Sequence, residues 1–209
     1  MAMLGLSTES RTIERFWRML ASTHANLWNA EGIARSMGMT RKTINRYLDF
    51  MEGAFLIRRL MPYSVNIPKR LVKSPKIYLR DSGILHAFKD TATLAQLMDD
   101  PQVGASWEGF VIEQIIAATQ ENFRPYFYRT QQGAECDLVL ERNGVVEAAI
   151  EIKLSTAPII GKGFRIAVED LKAKRAFVIG KVNESYPISE LITVCDLASF
   201  LDRFLPEFG

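Results

Sequence analysis

At 209 residues, 48% apolar and 24% charged, the chain has the composition of one large or two small globular domains with a true core. No apolar run approaches the roughly 20 residues of a membrane span, and the opening Met-Ala-Met-Leu-Gly-Leu is neither basic nor long enough for a signal peptide. A net charge of +2 conceals an asymmetry, because residues 11–80 carry 14 Lys or Arg against 4 Asp or Glu, and the remainder 12 against 20. A basic stretch followed by an acidic one points to a first module that meets polyanions and a second that binds cations. Two cysteines, Cys136 and Cys195, without metal-like spacing fit a reducing cytoplasm and no disulfide framework, and with no apolar run of spanning length no membrane partner is expected.

In chain order, residues 8–22 repeat Ile13, Phe16, Trp17 and Leu20 at helical spacing. Asn29 to Gly38 reads as a short second helix stopped by glycine, and Thr40 as the N-cap of a third, residues 41–52, with Ile44, Tyr47, Leu48 and Met51 inward. That third helix would present Arg41, Lys42, Thr43, Asn45 and Arg46 outward. A strand at Phe55–Leu60, a basic loop from Pro62 with Lys69, Arg70 and Lys73, and a returning strand at Lys76–Leu79 complete the pattern of a winged helix-turn-helix over residues 1–80. Such a module sets its recognition helix in a major groove and its wing on phosphates, which makes these eight residues nucleic-acid-binding candidates with DNA as the expected polymer. Winged helices also dock proteins, and that alternative stays open. Residues 81–104 read as a linker with short helices, Asp81 being a cap. His24 and His86 have no partner cluster and are given no chemistry.

From residue 105 the pattern is a helix, three strands, a helix and a strand. Ser106 is the expected N-cap of the helix, which puts Glu108 in its first turn, where the helix dipole alone would favour an acid. Glu113, five residues on, falls on another face. Alternating runs at Cys136–Leu140 and Val145–Leu154 flank Arg142-Asn143-Gly144, a hairpin signal. Glu151 and Lys153 share a strand face that Asp137 can reach across the hairpin. Two carboxylates and an ammonium at one strand end are what a hard divalent cation and a water nucleophile require. The alternative is a Glu–Lys pair and an Asp that caps a turn.

Asp137, thirteen residues, then Glu151-Ile152-Lys153 resembles the signature of the PD-(D/E)XK nuclease superfamily, with Cys136 where the usual Pro stands. The resemblance implies a three-layer restriction-endonuclease-like domain with a mixed central sheet over residues 105–209. It also implies Mg²⁺ or Mn²⁺ on Asp137 and Glu151, Glu108 as a further ligand, the Ile152 carbonyl completing the shell, and Lys153 orienting the attacking water. A second resemblance, carried by Asn29–Leu48 and by Lys69-Arg70 through Lys73-Ser74-Pro75-Lys76 to Leu85, is to the C-terminal region that follows AAA-type ATPase domains in bacteria and archaea. It implies an ATPase domain as partner, in cis or in trans. The chain has no Gly-x-x-x-x-Gly-Lys-(Ser/Thr), hence no ATP site of that kind. The expectation is therefore a cytoplasmic, nucleic-acid-binding, metal-dependent nuclease, the back half of a longer ATPase or a remnant of one. A homodimer would suit cleavage of both strands. The alternatives are a non-catalytic DNA-binding module and a regulatory interaction domain of an ATPase.

Overall fold

Side-chain caps start the second and third helices of the first half. The computed structural model of the protein describes residues 10–64, 70–119 and 122–208. Helix α1 (Ser10–Ser22) is followed by α2 (Ala30–Met37), whose cap Asn29 accepts from the Gly32 N–H. Gly38 ends α2 at φ 67°, a left-handed turn that costs glycine little. Thr40 accepts from the Thr43 N–H and starts α3 (Arg41–Gly53). Ile44, Tyr47, Leu48 and Met51 turn inward onto Phe16, Leu20 and Ile33, as their spacing predicts.

Strands β1 (Ile57–Leu60) and β2 (Lys76–Leu79) pair antiparallel, with Leu60 opposite Lys76. All four residues of β2 are buried. Alternation sends Ile77 and Leu79 into the helical core and Tyr78 into the core of the second half, so one strand serves two cores. The chain on either side of the expected wing runs along a strand of the second half, β3 (Arg124–Arg129). Pro62 bridges to Phe127, and Leu71 to Thr130.

Asp81 caps α4 (Ser82–Phe88) by accepting from the Ile84 N–H at 2.7 Å, and a Thr93–Gln96 capping box starts α5 (Leu94–Asp99). The next helix, α6 (Val103–Ala118), begins three residues before Ser106. Ser106 is therefore not its cap, and its hydroxyl instead bonds His86 Nε2 at 2.7 Å. Glu108 consequently lies beyond the first turn, and the dipole account of its position does not apply.

Strands β4 (Glu135–Arg142) and β5 (Val145–Ile152) form the expected hairpin, turning on Asn143 and Gly144 at φ 55° and 80°. Helix α7 (Lys162–Leu171) crosses to β6 (Arg175–Ile179), parallel to β5. Strand β8 (Ile192–Cys195) adds parallel to β6, and a two-residue edge strand not foreseen in the sequence, β7 (Tyr186–Pro187), closes the order β3-β4-β5-β6-β8-β7. From Leu197 to Phe208 the chain winds helically, passing through π and 3-10 geometry. The result is a mixed α+β protein. One face of the six-stranded mixed sheet packs on α6 and Phe200, Leu205 and Phe208, and the other on α7. Among the described residues, no helix is long and apolar enough to cross a membrane.

Candidate functional site

Hairpin register brings the signature residues together. Leu138 pairs with Ile150, and the next positions toward the strand end are Asp137 and Glu151. Asp137 Oδ2 accepts from the Ile152 N–H at 2.9 Å, which fastens the two strands there. Strand β5 ends at Ile152, so Lys153 stands one residue past it, and its Nζ still reaches Glu151 Oε1 at 2.6 Å. Helix α6 adds Glu108, and β4 adds Glu135, two residues before Asp137 and thus on the same face. These side chains line an open cleft of about 530 Å³ bordered by Arg129, Gly133 and Gly163. A Cβ on Gly163 would sit 2.6 Å from the Gly133 carbonyl, so the start of α7 fits against the entry to β4 only without a side chain. Glu113 does not line the cleft; it pairs with Arg58 and, at 2.9 Å, with Arg80.

A cation from the first half occupies this cluster. Lys76 Nζ lies 3.1 Å from Glu108 Oε1, 3.1 Å from Glu135 Oε1 and 3.6 Å from Asp137 Oδ1, with its side chain only 4% exposed. Tyr78, two residues along β2, donates to Glu108 Oε1 at 2.5 Å. Burial would lower the Lys76 pKa, but the charges of Glu108, Asp137 and Glu135 outweigh it and raise it, so the ammonium stays protonated. Sequence reading missed Lys76, Tyr78 and Glu135. Their signals were a lone lysine in an otherwise apolar strand and an acid two residues before Asp137.

Even so, the cluster is short of positive charge. Burial, then the charge of Asp137, push the Glu108 carboxyl up to about 7 against the opposing pull of Lys76. Burial and Asp137 likewise push Glu151 up to about 7 against Lys153. Among the described residues, no three His, Cys, Asp or Glu side chains stand close enough to hold a metal ion as placed. The donor kind nevertheless fits a hard divalent cation, since Asp137, Glu151 and Glu108 offer only oxygen and two of them lack full compensation.

In the first half, Arg41, Lys42 and Arg46 are exposed on α3 and Thr43 half-exposed. Arg41 lies 3.5 Å from Glu31 in an exposed pair. Asn45 is half-buried, its Oδ1 accepting from Trp28 Nε1 at 3.1 Å. Lys73 is exposed and shares a groove with Arg41, Asn45 and Trp28. Arg70 is exposed beside β3, its carbonyl accepting from the Gln131 N–H. Lys69 lies outside the described residues.

Residues 1–95 match the family model described as a domain of unknown function, DUF8612, and residues 103–200 match another, DUF4143. Over 192 residues the chain is 38% identical to an uncharacterised protein of Mycobacterium bovis and, to the same extent, to one of Mycobacterium tuberculosis. The alignment covers 92% of this chain and 43% of each relative, so the chain spans less than half the length of the curated relatives it matches. No solved structure matches it significantly.

Proposed function

We propose that the chain is a nucleic-acid-binding protein, with a winged helix-turn-helix in its first half and a metal-dependent PD-(D/E)XK-type phosphodiesterase site in its second. The observation that carries this reading is the meeting of Asp137, Glu151 and Lys153 at one strand end in an open cleft, with Glu108 brought in from α6. A divalent cation held there by Asp137 and Glu151, with Glu108 as a further ligand, would supply Lewis-acid charge to a phosphodiester under attack by water. Lys153, 42% exposed in the cleft, would orient that water and offset phosphate charge. The exposed cations of α3 and Lys73 would hold the polyanion, and DNA is the polymer a groove-reading helix favours. An AAA-type ATPase domain, in cis or in trans, is the proposed partner, supported by the Lys69–Leu85 resemblance.

The test is titration of Mn²⁺ and Mg²⁺ by calorimetry, with parallel cleavage assays on single- and double-stranded DNA and RNA. Cation binding and cleavage that disappear together in Asp137→Ala/Glu151→Ala are expected. Cleavage that persists in that variant, or a cation that still binds to it, overturns the site assignment.

The second reading is a non-catalytic binding module, favoured by the Lys76 ammonium already lying among the carboxylates. It predicts duplex affinity without a divalent requirement. In either reading, Arg46→Ala lowers the slope of log affinity against log salt by about one.

A further inference from the structure

We propose that Lys76 is the resident counter-ion of the acidic cleft, and that a divalent cation enters only in exchange with its ammonium. The inference rests on the metal reading above and deepens it, because it makes loading of the second half conditional on a side chain of the first. Two of the three carboxylates assigned to the cation, Asp137 and Glu108, face Lys76 through one oxygen each, while the third, Glu151, faces Lys153. Asp137 Oδ2 is engaged by the Ile152 N–H, so Oδ1 is its free atom, and that atom lies toward Lys76 at 3.6 Å. Glu108 Oε1 takes both the Tyr78 hydroxyl and the Lys76 ammonium. Two cations cannot share so small a set of oxygens without strong repulsion in a buried site.

Exchange needs only the side chain to move. The backbone of β2 is fixed on both sides, by Leu60 across the ribbon and by the chain before α2. There Leu27 bridges to Lys76, Ala25 N–H donates to the Ile77 carbonyl at 2.8 Å, and Ile77 N–H donates to the Asn26 carbonyl at 3.1 Å. The lysine stem has four rotatable carbons, and its ammonium is a compact charge that a carboxylate cluster can release into the open cleft. Strand β2 is also tied toward α3, since Trp28 N–H donates to the Pro75 carbonyl at 2.7 Å while the Trp28 indole holds Asn45. The cation that fills the cleft thus belongs to the same framework as the exposed basic face.

The test compares Mn²⁺ binding, by calorimetry, to the wild type and to Lys76→Gln/Glu135→Gln. The double variant removes one positive and one negative charge, so the net charge of the cluster is unchanged and only occupancy differs. Tighter Mn²⁺ binding to the double variant, on the order of ten-fold, is expected. Equal or weaker binding overturns the exchange and leaves the metal reading standing, whereas no binding to either protein ends both. A measurement on the unaltered chain covers a failure of the variant to fold, namely acylation of Lys76 by an amine-reactive reagent, read by mass spectrometry. Lys76 should be protected without metal and reactive at saturating Mg²⁺. Protection that persists with Mg²⁺ bound overturns the proposal.

Discussion

Arg46 on α3 and Lys76 on β2 carry the same charge in opposite settings. Arg46 stands exposed on a helix whose apolar stripe is satisfied elsewhere, so its charge is available to a partner and contributes little to the fold. Lys76 is buried against three carboxylates from two other elements, so its charge is committed to the joint between the halves. A basic residue thus says little by its type alone. Its neighbours decide whether it recruits a partner or holds the protein's own acids in place.

The contrast can be broken first at Lys76. Lys76→Met leaves the buried Asp137 and the half-buried Glu108 and Glu135 without their shared cation, and a loss of about 3–5 kcal/mol in unfolding free energy is expected from denaturant titration. Equal stability of this variant and the wild type would mean that the cluster relaxes into solvent and that the joint is not electrostatic.

A smaller effect is expected where the halves meet by shape. A Cβ at Gly109 on α6 would lie 2.3 Å from Nε2 and 2.8 Å from Cε1 of His24. His24 is enclosed in the interior, its Nδ1 accepting from the Leu79 N–H at 3.1 Å, so the ring has little room to withdraw. Gly109→Ala should cost about 1–3 kcal/mol by the same titration, and a neutral outcome would show that the ring can move aside.

The pH dependence of stability separates the two kinds of buried group. Burial, and then the charge of Lys89, push His24 down from 6.5 to about 4. The stability that comes from keeping the ring neutral is therefore complete above pH 6.5 and is lost as pH falls from 6.5 through about 4. Glu108 and Glu151 act with the opposite sign. Raised from 4.5 to about 7, they take up protons on folding, and their contribution declines as pH rises through that window. His24→Gln should flatten the acid limb of the thermal midpoint against pH without altering the limb above pH 6.5. An unchanged acid limb would show that His24 is not the group being titrated. Arg46→Ala should be the least consequential of the set, changing stability by no more than about 0.5 kcal/mol.

Much of the first half could be read from the chain because its signals are local. Gly38, Thr40 and Asp81 act on backbone groups within three or four residues, and each takes the role its position implies. The hairpin follows in the same way from Asn143-Gly144 between alternating runs. Ser106 misled because a good capping residue does not exclude an earlier start. The apolar pattern of α6 is diffuse, and its first turn at Val103 carries no side-chain cap. The two-residue β7 is too short to show periodicity and exists through pairing with β8.

The sequence by itself determined the starts of α3 and α4, the exposed cations of α3 and the pairing of Glu151 with Lys153, because each depends on residues close along the chain or on one strand face. Tertiary structure decided which cation fills the acidic cleft. Lys76 lies 32 residues from Glu108, and no periodicity links them. Only the two-sided burial of β2, with Ile77 and Leu79 packed in one half and Lys76 and Tyr78 turned to the other, carries that charge to Glu108, Glu135 and Asp137.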